Sequence, residues 1–288
     1  MRLREPAPGK INLCLFLGPL RADGRHELVT VYESVSLADE LVISDGAVDE
    51  VLAPGVEGPN LVADALAGLR RLGWQAPPLR VEIEKRIPVA AGMGGGSADA
   101  AALLRVAPRL APVSADGVAG LAAQLGADVP AQLSPGVALG TGAGEVVSVR
   151  PALAEHALVI VPQAIGVSTA EVYREADRLG LPRPADELSA LSERVGAALG
   201  PGVRFPDELV VNDLQPASVA LAPAISPLLE TLLQAGADAA LVCGSGPTVA
   251  GIVWGQDAGG RAEALARELD GGGFTAWAAT PVSSPAPH

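Results

Sequence analysis

The chain has 288 residues, which is long enough for one large domain or for two closely packed ones. Hydrophobic residues make up 49% of the sequence, so a large core is available and a disordered chain is not expected. The net charge of −13 repels nucleic acid and anionic membrane surfaces. It also repels nucleotides, so a phosphate site in this chain needs local compensation by backbone NH groups, cations or metal.

The sequence shows no feature of an exported or membrane protein. The first eight residues lack the apolar core of a signal peptide. No run of about 20 apolar residues could span a bilayer. The two cysteines, Cys14 and Cys243, stand in no metal-ligand pattern, which favours two reduced, buried thiols. We therefore expect a soluble cytoplasmic protein.

The elements predicted in the first half of the chain are strands, helices and one glycine-rich turn. Residues 79–84 alternate apolar and charged side chains, which indicates a half-buried strand. Asn60 is a plausible N-cap for the helix that follows it. The predicted strands are 10–17, 28–37, 40–44 and 79–84, with a strand–turn–strand unit over 137–149; the predicted helices are 60–72, one that follows the turn at 92–96, and 114–125.

The second half of the chain begins with a shift in composition at Pro151. The predicted strands are 157–161, 239–243, 248–254 and 274–280; the predicted helices are 168–179, a short one near 186–198, 212–222, 224–235 and 260–269. Many strands follow one another directly, which favours an α+β fold over a doubly wound parallel sheet. We predict two domains, 1–150 and 151–288.

The segment Gly92–Ser97, GMGGGS, is the most informative in the sequence. Four glycines let the backbone curl closely around a ligand, and the start of a helix offers unpaired NH groups and a positive dipole end. The segment lacks the Gly-Lys-Ser/Thr ending of a Walker A loop and the spacing of a dinucleotide-binding fingerprint. It therefore predicts a phosphate site of another kind, with a flexible surface turn as the alternative.

Three motifs in the same order resemble those of the galactokinase, homoserine kinase, mevalonate kinase and phosphomevalonate kinase (GHMP) superfamily. They are Pro8–Leu13 (PGKINL), Pro88–Ala101 (PVAAGMGGGSADAA) and Gly244–Thr248 (GSGPT). Met93 stands where the second motif usually has leucine, a change of similar volume. The resemblance implies a two-domain α+β fold, with a ribosomal-protein-S5-like N-terminal domain and a ferredoxin-like C-terminal domain.

Within this superfamily the chain is most similar to the diphosphocytidyl-methylerythritol kinases. The segments that carry this similarity are Lys10-Ile-Asn12-Leu, Arg21-Ala-Asp23-Gly-x-His26, Lys85-Arg-Ile-Pro88, Leu125-Gly-Ala-Asp128-Val-Pro130 and Asn212-Asp213-Leu214. The resemblance implies phosphorylation of the tertiary hydroxyl of a cytidine-diphosphate-linked methylerythritol, with ATP and Mg²⁺.

The resemblance assigns the chemistry to Lys10 and Asp128. Asp128 would accept the proton of the substrate hydroxyl, and Lys10 would stabilise the developing negative charge. Phosphoryl transfer needs mainly positioning and charge neutralisation, for which such a pair with Mg²⁺ suffices. From the residues alone, a helix C-cap or turn aspartate is the favoured interpretation of Asp128, and Lys10 could be a solvated lysine at a strand end.

The remaining site residues are also carried over from the resemblance. The residues expected at the nucleotide are Pro88, Ala90, Gly92, Met93, Gly94, Gly95, Gly96 and Ser97, with Asn60 and Lys85 on the adenine side. The residues expected at the substrate are Asn12, Arg25, His26, Asp128, Tyr173, Gly244, Ser245 and Gly246. Ser97 is a possible Mg²⁺ ligand, or an ordinary N-cap.

The segment that would bind the cytidine departs from the family pattern. Arg25 stands where the family has a tyrosine that stacks on the base, although a guanidinium can also stack on a base or meet a diphosphate. Tyr173 would supply the second wall, or be a half-buried helix tyrosine. Asn60, Asn212 and Asp213 could simply cap the helices that follow them.

Three other functions stay open at this point. Another kinase of the superfamily could act on homoserine or a mevalonate derivative, but it would not need the Asp23–His26 segment. A nucleotide-binding protein without catalysis would be expected to lack Lys10 or Asp128. An RNA-binding protein is disfavoured by the acidic charge. We expect a small-molecule substrate, no nucleic-acid or membrane partner, and a monomer or weak homodimer.

Overall fold

The computed structural model describes residues 1–56, 58–89, 91–163 and 166–282. The strands within these ranges are β1 (Arg2–Leu20), β2 (His26–Asp45), β3 (Glu50–Leu52), β4 (Leu79–Glu84), β5 (Val137–Thr141), β6 (Val146–Arg150), β7 (His156–Val161), β8 (Ala239–Val242), β9 (Val249–Trp254) and β10 (Trp277–Ala279). The α-helices are α1 (Leu61–Arg71), α2 (Gly95–Leu110), α3 (Ala115–Leu125), α4 (Val129–Gln132), α5 (Thr169–Leu179), α6 (Ala185–Ala198), α7 (Gln215–Leu221), α8 (Ile225–Gln234) and α9 (Ala258–Gly271).

The first sheet is built around the long antiparallel hairpin of β1 and β2. Strand β2 also pairs with β4 and β5, which gives the order β3-β4-β2-β5-β6 with β1 attached to β2. Lys10 lies opposite Ser34, and Asn12 lies opposite Tyr32. The pairing shifts between Pro8 and Lys10 and again between Asn12 and Cys14. These bulges re-aim the side chains at the middle of the hairpin, where Lys10 and Asn12 stand.

Residues 28–37 and 40–44 form one continuous strand, β2, where the sequence predicts two. The predicted gap between the two strands contains Asp39, a charged residue within an apolar run. The structure buries its side chain completely. Its Oδ1 accepts hydrogen bonds from the backbone nitrogens of Arg86 (2.5 Å) and Ile87 (2.8 Å). A buried carboxylate with partners does not end a strand, because its burial cost is offset.

Helices α1, α2 and α3 pack together against the first sheet. The alanines of α2 are fully buried in this core, including Ala98, Ala100, Ala101 and Ala102. Such small side chains allow a helix to approach its neighbours closely. The N-terminus of α2 is therefore held firmly at the end of the glycine-rich segment.

The second sheet is antiparallel, with the order β10-β7-β9-β8. Its residues Val159, Val161, Val249 and Val253 pack with buried residues of α8 and α9. Its alternate residues, among them Leu158 and Ile160, enter a core that also contains residues of β1 and β2. The two sheets thus share one hydrophobic core.

A buried ion pair also joins the two sheets. His156 Nε2 lies 2.8 Å from Glu33 Oε2, and the His156 ring lies 4.4 Å from the Trp254 ring. Burial lowers the pKa of His156, but the hydrogen bond and charge of Glu33 outweigh it and raise the pKa overall. The carboxylate of Glu33 thus stabilises the protonated form of His156 relative to a free imidazole.

Most predicted elements are confirmed, and the α+β class is confirmed with them. Asn60 and Ser114 cap α1 and α3, and Cys14 and Cys243 are buried and unpaired. The helix predicted from residue 212 begins only at Gln215, because Asn212 has another role described below. The short elements β3 and α4 were not predicted. Within the described ranges, none of the helices is long and apolar enough to cross a membrane.

Candidate active site

The glycine-rich segment connects the end of β4 to the first turn of α2. Gly92 has φ +73° and Gly94 has φ +64°, a left-handed conformation that side chains disfavour. A Cβ on Gly92 would also lie 2.5 Å from the carbonyl oxygen of Cys243. Gly94 is the N-cap of α2, so Gly95, Gly96 and Ser97 form its first turn. Their NH groups have no partner within the helix and provide an anion site.

Ser97 is the third residue of α2, so its reading as an ordinary N-cap is wrong. The cap position belongs to Gly94, which makes no side-chain hydrogen bond. The Ser97 hydroxyl is consequently not needed to start the helix.

A cavity of about 390 Å³, which we call the loop cavity, lies along this segment. Nine of the ten residues predicted at the nucleotide line it: Asn60, Lys85, Pro88, Gly92, Met93, Gly94, Gly95, Gly96 and Ser97. Ala90, the tenth, lies outside the described residues. The Met93 side chain is buried in the core, and its carbonyl accepts a hydrogen bond from Lys10 N at 2.9 Å. The side chain of Asn60 caps α1, since its Oδ1 accepts from Val62 N at 2.9 Å.

Lys85 stands between two buried carboxylates at the edge of the loop cavity. Its Nζ contacts Asp39 Oδ2 and lies 2.8 Å from Asp99 Oδ2. Burial lowers the pKa of Lys85, but the charges of Asp99 and Asp39 outweigh it and raise the pKa. Burial raises the pKa of Asp99 to about 7. One lysine thus serves two carboxylates in this Lys85 cluster, and burial is the main cause of the raised pKa of Asp99.

A second cavity of about 330 Å³, which we call the lysine cavity, adjoins the loop cavity. The two share Gly92, Gly94 and Ser97 as lining residues. The lysine cavity is also lined by Lys10, Asn12 and Asp128, which the structure brings together from β1 and from the turn before α4.

Lys10 is nearly fully buried, and three acceptors surround its ammonium group. Its Nζ lies 2.9 Å from Asn12 Oδ1, 3.3 Å from the Gly92 carbonyl oxygen and 3.4 Å from Asp128 Oδ2. Lys10 is therefore not a solvated lysine at a strand end. Its cation is fixed beside the glycine-rich segment, where an anion would feel its field strongly.

Asp128 is the N-cap residue of α4, yet its side chain makes no capping hydrogen bond. Its carboxylate is 32% exposed and faces the lysine cavity. Burial and the charge of Asp128 raise the pKa of the neighbouring Tyr32 hydroxyl. A carboxylate that is neither a cap nor buried remains available to accept a proton from a bound molecule.

A third cavity of about 520 Å³, which we call the histidine cavity, adjoins the lysine cavity at Thr169 and Tyr173. Arg25 and His26 also line it. His26 is buried, so it is not a surface histidine; its Nδ1 lies 2.9 Å from the Gly18 carbonyl oxygen and its Nε2 lies 3.1 Å from Asp177 Oδ1. The rings of His26 and Tyr173 lie 5.7 Å apart.

Arg25 is exposed at the turn of the β1–β2 hairpin. Its Nη2 lies 3.2 Å from Asp23 Oδ2 and 3.8 Å from Glu145 Oε1. These contacts hold the guanidinium at the mouth of the histidine cavity.

The Gly244–Gly246 turn reaches the lysine cavity from the second sheet. Gly244 and Ser245 line that cavity, while the Gly246 carbonyl packs against Gly92. The Ser245 hydroxyl lies 3.0 Å from the Thr169 hydroxyl. The turn therefore closes the site opposite β1, and Gly246 contributes packing without lining this cavity.

Asn212 holds this turn in place. Its Nδ2 donates to the carbonyl oxygens of Val242 (2.8 Å) and Gly244 (2.7 Å), while its Oδ1 accepts from Leu214 N at 2.9 Å. Asp213 instead binds Leu17 N and Arg183. Both residues therefore do more than cap a helix, which is why α7 begins later than predicted.

Sequence reasoning missed several residues of the site. Thr30, Tyr32 and Thr169 line the lysine cavity, and Asp39 and Asp99 flank Lys85. The only available signal was an unexpected polar residue inside an apolar strand, as at Thr30 and Asp39.

The two-sheet α+β fold, with a glycine-rich helix start beside a lysine–aspartate pair, has the features that the three motifs predict for a small-molecule kinase of the GHMP class. The family described as "GHMP kinases N terminal domain" matches residues 60–136, and "GHMP kinases C terminal" matches residues 188–270. The superfamily predicted from the three motifs is confirmed.

Individual relatives narrow the assignment from the superfamily to one kinase family. The 4-diphosphocytidyl-2-C-methyl-D-erythritol kinase of Arthrobacter sp. (strain FB24) is 40% identical over 99% of this chain and 93% of its own length. The protein of that name from Salinispora arenicola (strain CNS-205) is 42% identical over 85% of this chain and 81% of its own length. The chain belongs to the 4-diphosphocytidyl-2-C-methyl-D-erythritol kinase family.

Solved structures agree with this assignment. A crystal structure of 4-(cytidine 5'-diphospho)-2C-methyl-D-erythritol kinase is 32% identical, has a TM-score of 0.75, and covers 98% of this chain and 100% of its own. A homoserine kinase from Cytophaga hutchinsonii shares the fold at 17% identity, with a TM-score of 0.62 and coverage of 98% and 95%. Kinases for other small alcohols are thus distant neighbours.

Proposed function

We propose that this chain transfers the γ-phosphoryl group of ATP to the tertiary 2-hydroxyl of 4-diphosphocytidyl-2-C-methyl-D-erythritol, in the non-mevalonate pathway to isoprenoid precursors. The observation that carries the proposal is the contact of Lys10 with both Asp128 and the carbonyl of Gly92. It puts a cation and a base beside the segment that is suited to phosphate.

The loop cavity is the proposed ATP site. Gly92, Gly94, Gly95, Gly96 and Ser97 bind the phosphates through the first turn of α2. Pro88 and Met93 shape the segment, and Asn60 and Lys85 lie on the adenine side. The Ser97 hydroxyl faces both the loop and lysine cavities and is a hard oxygen donor, so it fits a Mg²⁺ ion that keeps most of its ligands from phosphates and water. Bound Mg²⁺ supplies charge neutralisation at the phosphates.

The lysine cavity is the proposed site of reaction. Asp128 accepts the proton of the substrate hydroxyl, and Lys10 stabilises the oxygen as its negative charge grows. That oxygen forms a bond to the γ-phosphorus while the bond from phosphorus to the β-phosphate bridging oxygen breaks, and ADP leaves. Asn12 holds Lys10 and also contacts the substrate.

The histidine cavity is the proposed site of the cytidine diphosphate. Tyr173 forms one wall for the base, His26 contacts it, and Arg25 takes the place of the second aromatic wall by stacking its planar guanidinium. Gly244, Ser245 and Gly246 close over the acceptor from the second sheet. Because these elements come from both halves of the chain, we propose a division into domains 1–150 and 151–288 with the reaction between them.

The proposal extends to the setting of the enzyme. We expect a cytoplasmic monomer or weak homodimer that binds small molecules and neither nucleic acid nor membrane, since its charge of −13 disfavours polyanions.

The decisive experiment measures ADP release by the purified protein with ATP and Mg²⁺ and one of three acceptors. These are 4-diphosphocytidyl-2-C-methyl-D-erythritol, homoserine and mevalonate. We expect turnover only with the cytidine compound. Turnover with another alcohol alone would overturn the proposed acceptor while keeping the roles of Lys10 and Asp128.

Arg25→Tyr separates two ways of binding the cytidine diphosphate. If Arg25 stacks on the base, the variant keeps or lowers the KM for that substrate. A large rise in this KM, with the KM for ATP unchanged, would mean that the guanidinium instead binds the diphosphate.

A further inference from the structure

A buried hydrogen-bonded chain runs from the backbone of β1 to Lys10. Thr30 Oγ1 donates to the Cys14 carbonyl oxygen at 2.7 Å, and it lies 2.7 Å from Asn12 Nδ2. Asn12 Oδ1 in turn lies 2.9 Å from Lys10 Nζ. Thr30 is 0% exposed and Asn12 is 2% exposed, so both side chains depend mainly on protein partners for their hydrogen bonds.

The direction of this chain is fixed by its first member. A carbonyl oxygen can only accept, so the single proton of the Thr30 hydroxyl is committed to Cys14. The hydroxyl can then only accept from Asn12, which requires the NH₂ group of the Asn12 amide to face Thr30. The amide oxygen is thereby turned toward Lys10.

This orientation completes the surroundings of the Lys10 ammonium. It carries three protons and faces three acceptors: Asn12 Oδ1, the Gly92 carbonyl oxygen and Asp128 Oδ2. With the amide reversed, an NH₂ group would face the ammonium, and two donors would meet without an acceptor. Lys10 would then move away from the position it shares with Asp128 and Gly92.

We propose that Thr30 is a positioning residue for phosphoryl transfer, which sets the orientation of Asn12 and through it the place of the Lys10 cation. This inference rests on the proposed function of Lys10. The register of the hairpin supports it: Asn12 lies opposite Tyr32, and Thr30 is two residues from Tyr32 on β2, so the Asn12 and Thr30 side chains lie on the same face of the ladder and meet there.

The test compares Thr30→Val, which keeps the shape but removes the hydroxyl, with Thr30→Ser, which keeps the hydroxyl. We expect Thr30→Val to lower kcat by about tenfold, the value of one hydrogen bond, with the KM for ATP unchanged. Thr30→Ser should restore most of kcat. Thr231→Val is the matched control, since its hydroxyl also binds a carbonyl oxygen, that of Pro227 at 2.8 Å on α8. Equal kcat values for Thr30→Val and wild type would overturn the inference.

A double-mutant cycle distinguishes positioning from a general loss of packing. Because Thr30 acts through Asn12, Thr30→Val should cause no further loss of kcat in the Asn12→Ala background. Independent losses that multiply would contradict this route. Absence of turnover in the wild-type protein would overturn the proposed function. Normal turnover of Lys10→Met would overturn the role of Lys10 and this inference with it, and a loss in Lys10→Met but not in Thr30→Val overturns the inference alone. Thermal unfolding of each variant checks that it is folded.

Discussion

Lys10 and Lys85 are the two lysines of the chain, and both approach the same glycine-rich segment. Lys10 Nζ lies 3.3 Å from the Gly92 carbonyl, and a Cβ on Gly95 would lie 3.3 Å from Lys85 Nζ. Their partners differ. Lys10 faces one carboxylate, at 3.4 Å and 32% exposed, whereas Lys85 contacts two buried ones.

Under the proposed function, this difference separates a cation for chemistry, Lys10, from a cation for structure, Lys85. The charge of Lys85 is more than cancelled by Asp39 and Asp99, so little of its field is left for a ligand. The charge of Lys10 is only partly offset by an exposed partner, so it acts on whatever occupies the lysine cavity. The same side chain thus serves two purposes according to the number and burial of its carboxylates.

The largest expected effect comes from the one carboxylate that faces Lys10. Asp128→Asn removes the base but keeps the shape, so kcat should fall about 10²- to 10⁴-fold while the KM for ATP stays within a few-fold. Steady-state ADP release measures both quantities. Asp116→Asn, on the exposed first turn of α3, is the control. Near-normal turnover of Asp128→Asn would remove this residue from the mechanism.

Lys10→Met should lower kcat about 10²- to 10³-fold, since it removes the preorganised charge beside the reacting oxygen. The free energy of unfolding should change by less than about 1 kcal/mol, because the partner carboxylate of Asp128 is 32% exposed and stays solvated when the lysine is lost. Steady-state kinetics measure the change in kcat, and urea unfolding of the same preparation measures the change in the free energy of unfolding. A strongly destabilised variant would make Lys10 a structural lysine, like Lys85.

Lys85→Met should show the opposite pattern. It leaves Asp39 and Asp99 without their cation, so the free energy of unfolding should fall by about 3 kcal/mol. The KM for ATP should rise because Lys85 lines the loop cavity, while kcat at saturating ATP stays within a few-fold. A loss of kcat as large as that of Lys10→Met, with normal stability, would abolish the distinction between the two lysines.

The last prediction concerns the pH dependence of the Lys85 cluster. Burial raises the pKa of Asp99 from 3.8 to about 7, so the folded protein holds this proton more tightly than the unfolded chain does. The stability from this group is complete below pH 3.8 and is lost as the pH rises through about 7. Asp99→Asn should therefore flatten the curve of unfolding free energy against pH over this window. Parallel curves for variant and wild type would refute the assignment.

The elements that the sequence could predict are those with a local cause. The helix start at Asn60, the capping box at Ser168 and the turn before α2 follow from short patterns, and each is present in the structure. The family resemblance also predicted that Lys10 and Asp128 act together. Their 3.4 Å contact joins positions that no local pattern connects.

The residues that were missed depend on pairing between strands. In the sequence, Thr30 and Asp39 look like isolated polar residues within apolar strands. Their roles depend on hydrogen-bond partners on β1 and on the segment after β4. Asn212 read as a helix cap because its partners at Val242 and Gly244 are distant in sequence. Register and long-range hydrogen bonds of this kind are set by tertiary packing and leave only a weak trace in one sequence.

The β1–β2 hairpin has a consequence for protein engineering and for natural variation. Its middle carries Lys10 and Asn12 within a ladder where a one-residue slip would reverse every side chain. Its tip, residues 22–25, is exposed, and Gly24 there has φ +80°, which favours keeping glycine at that position. Under the proposed function, a combinatorial library at positions 22, 23 and 25 would vary acceptor binding at the mouth of the histidine cavity while leaving Lys10 and Asn12 unchanged.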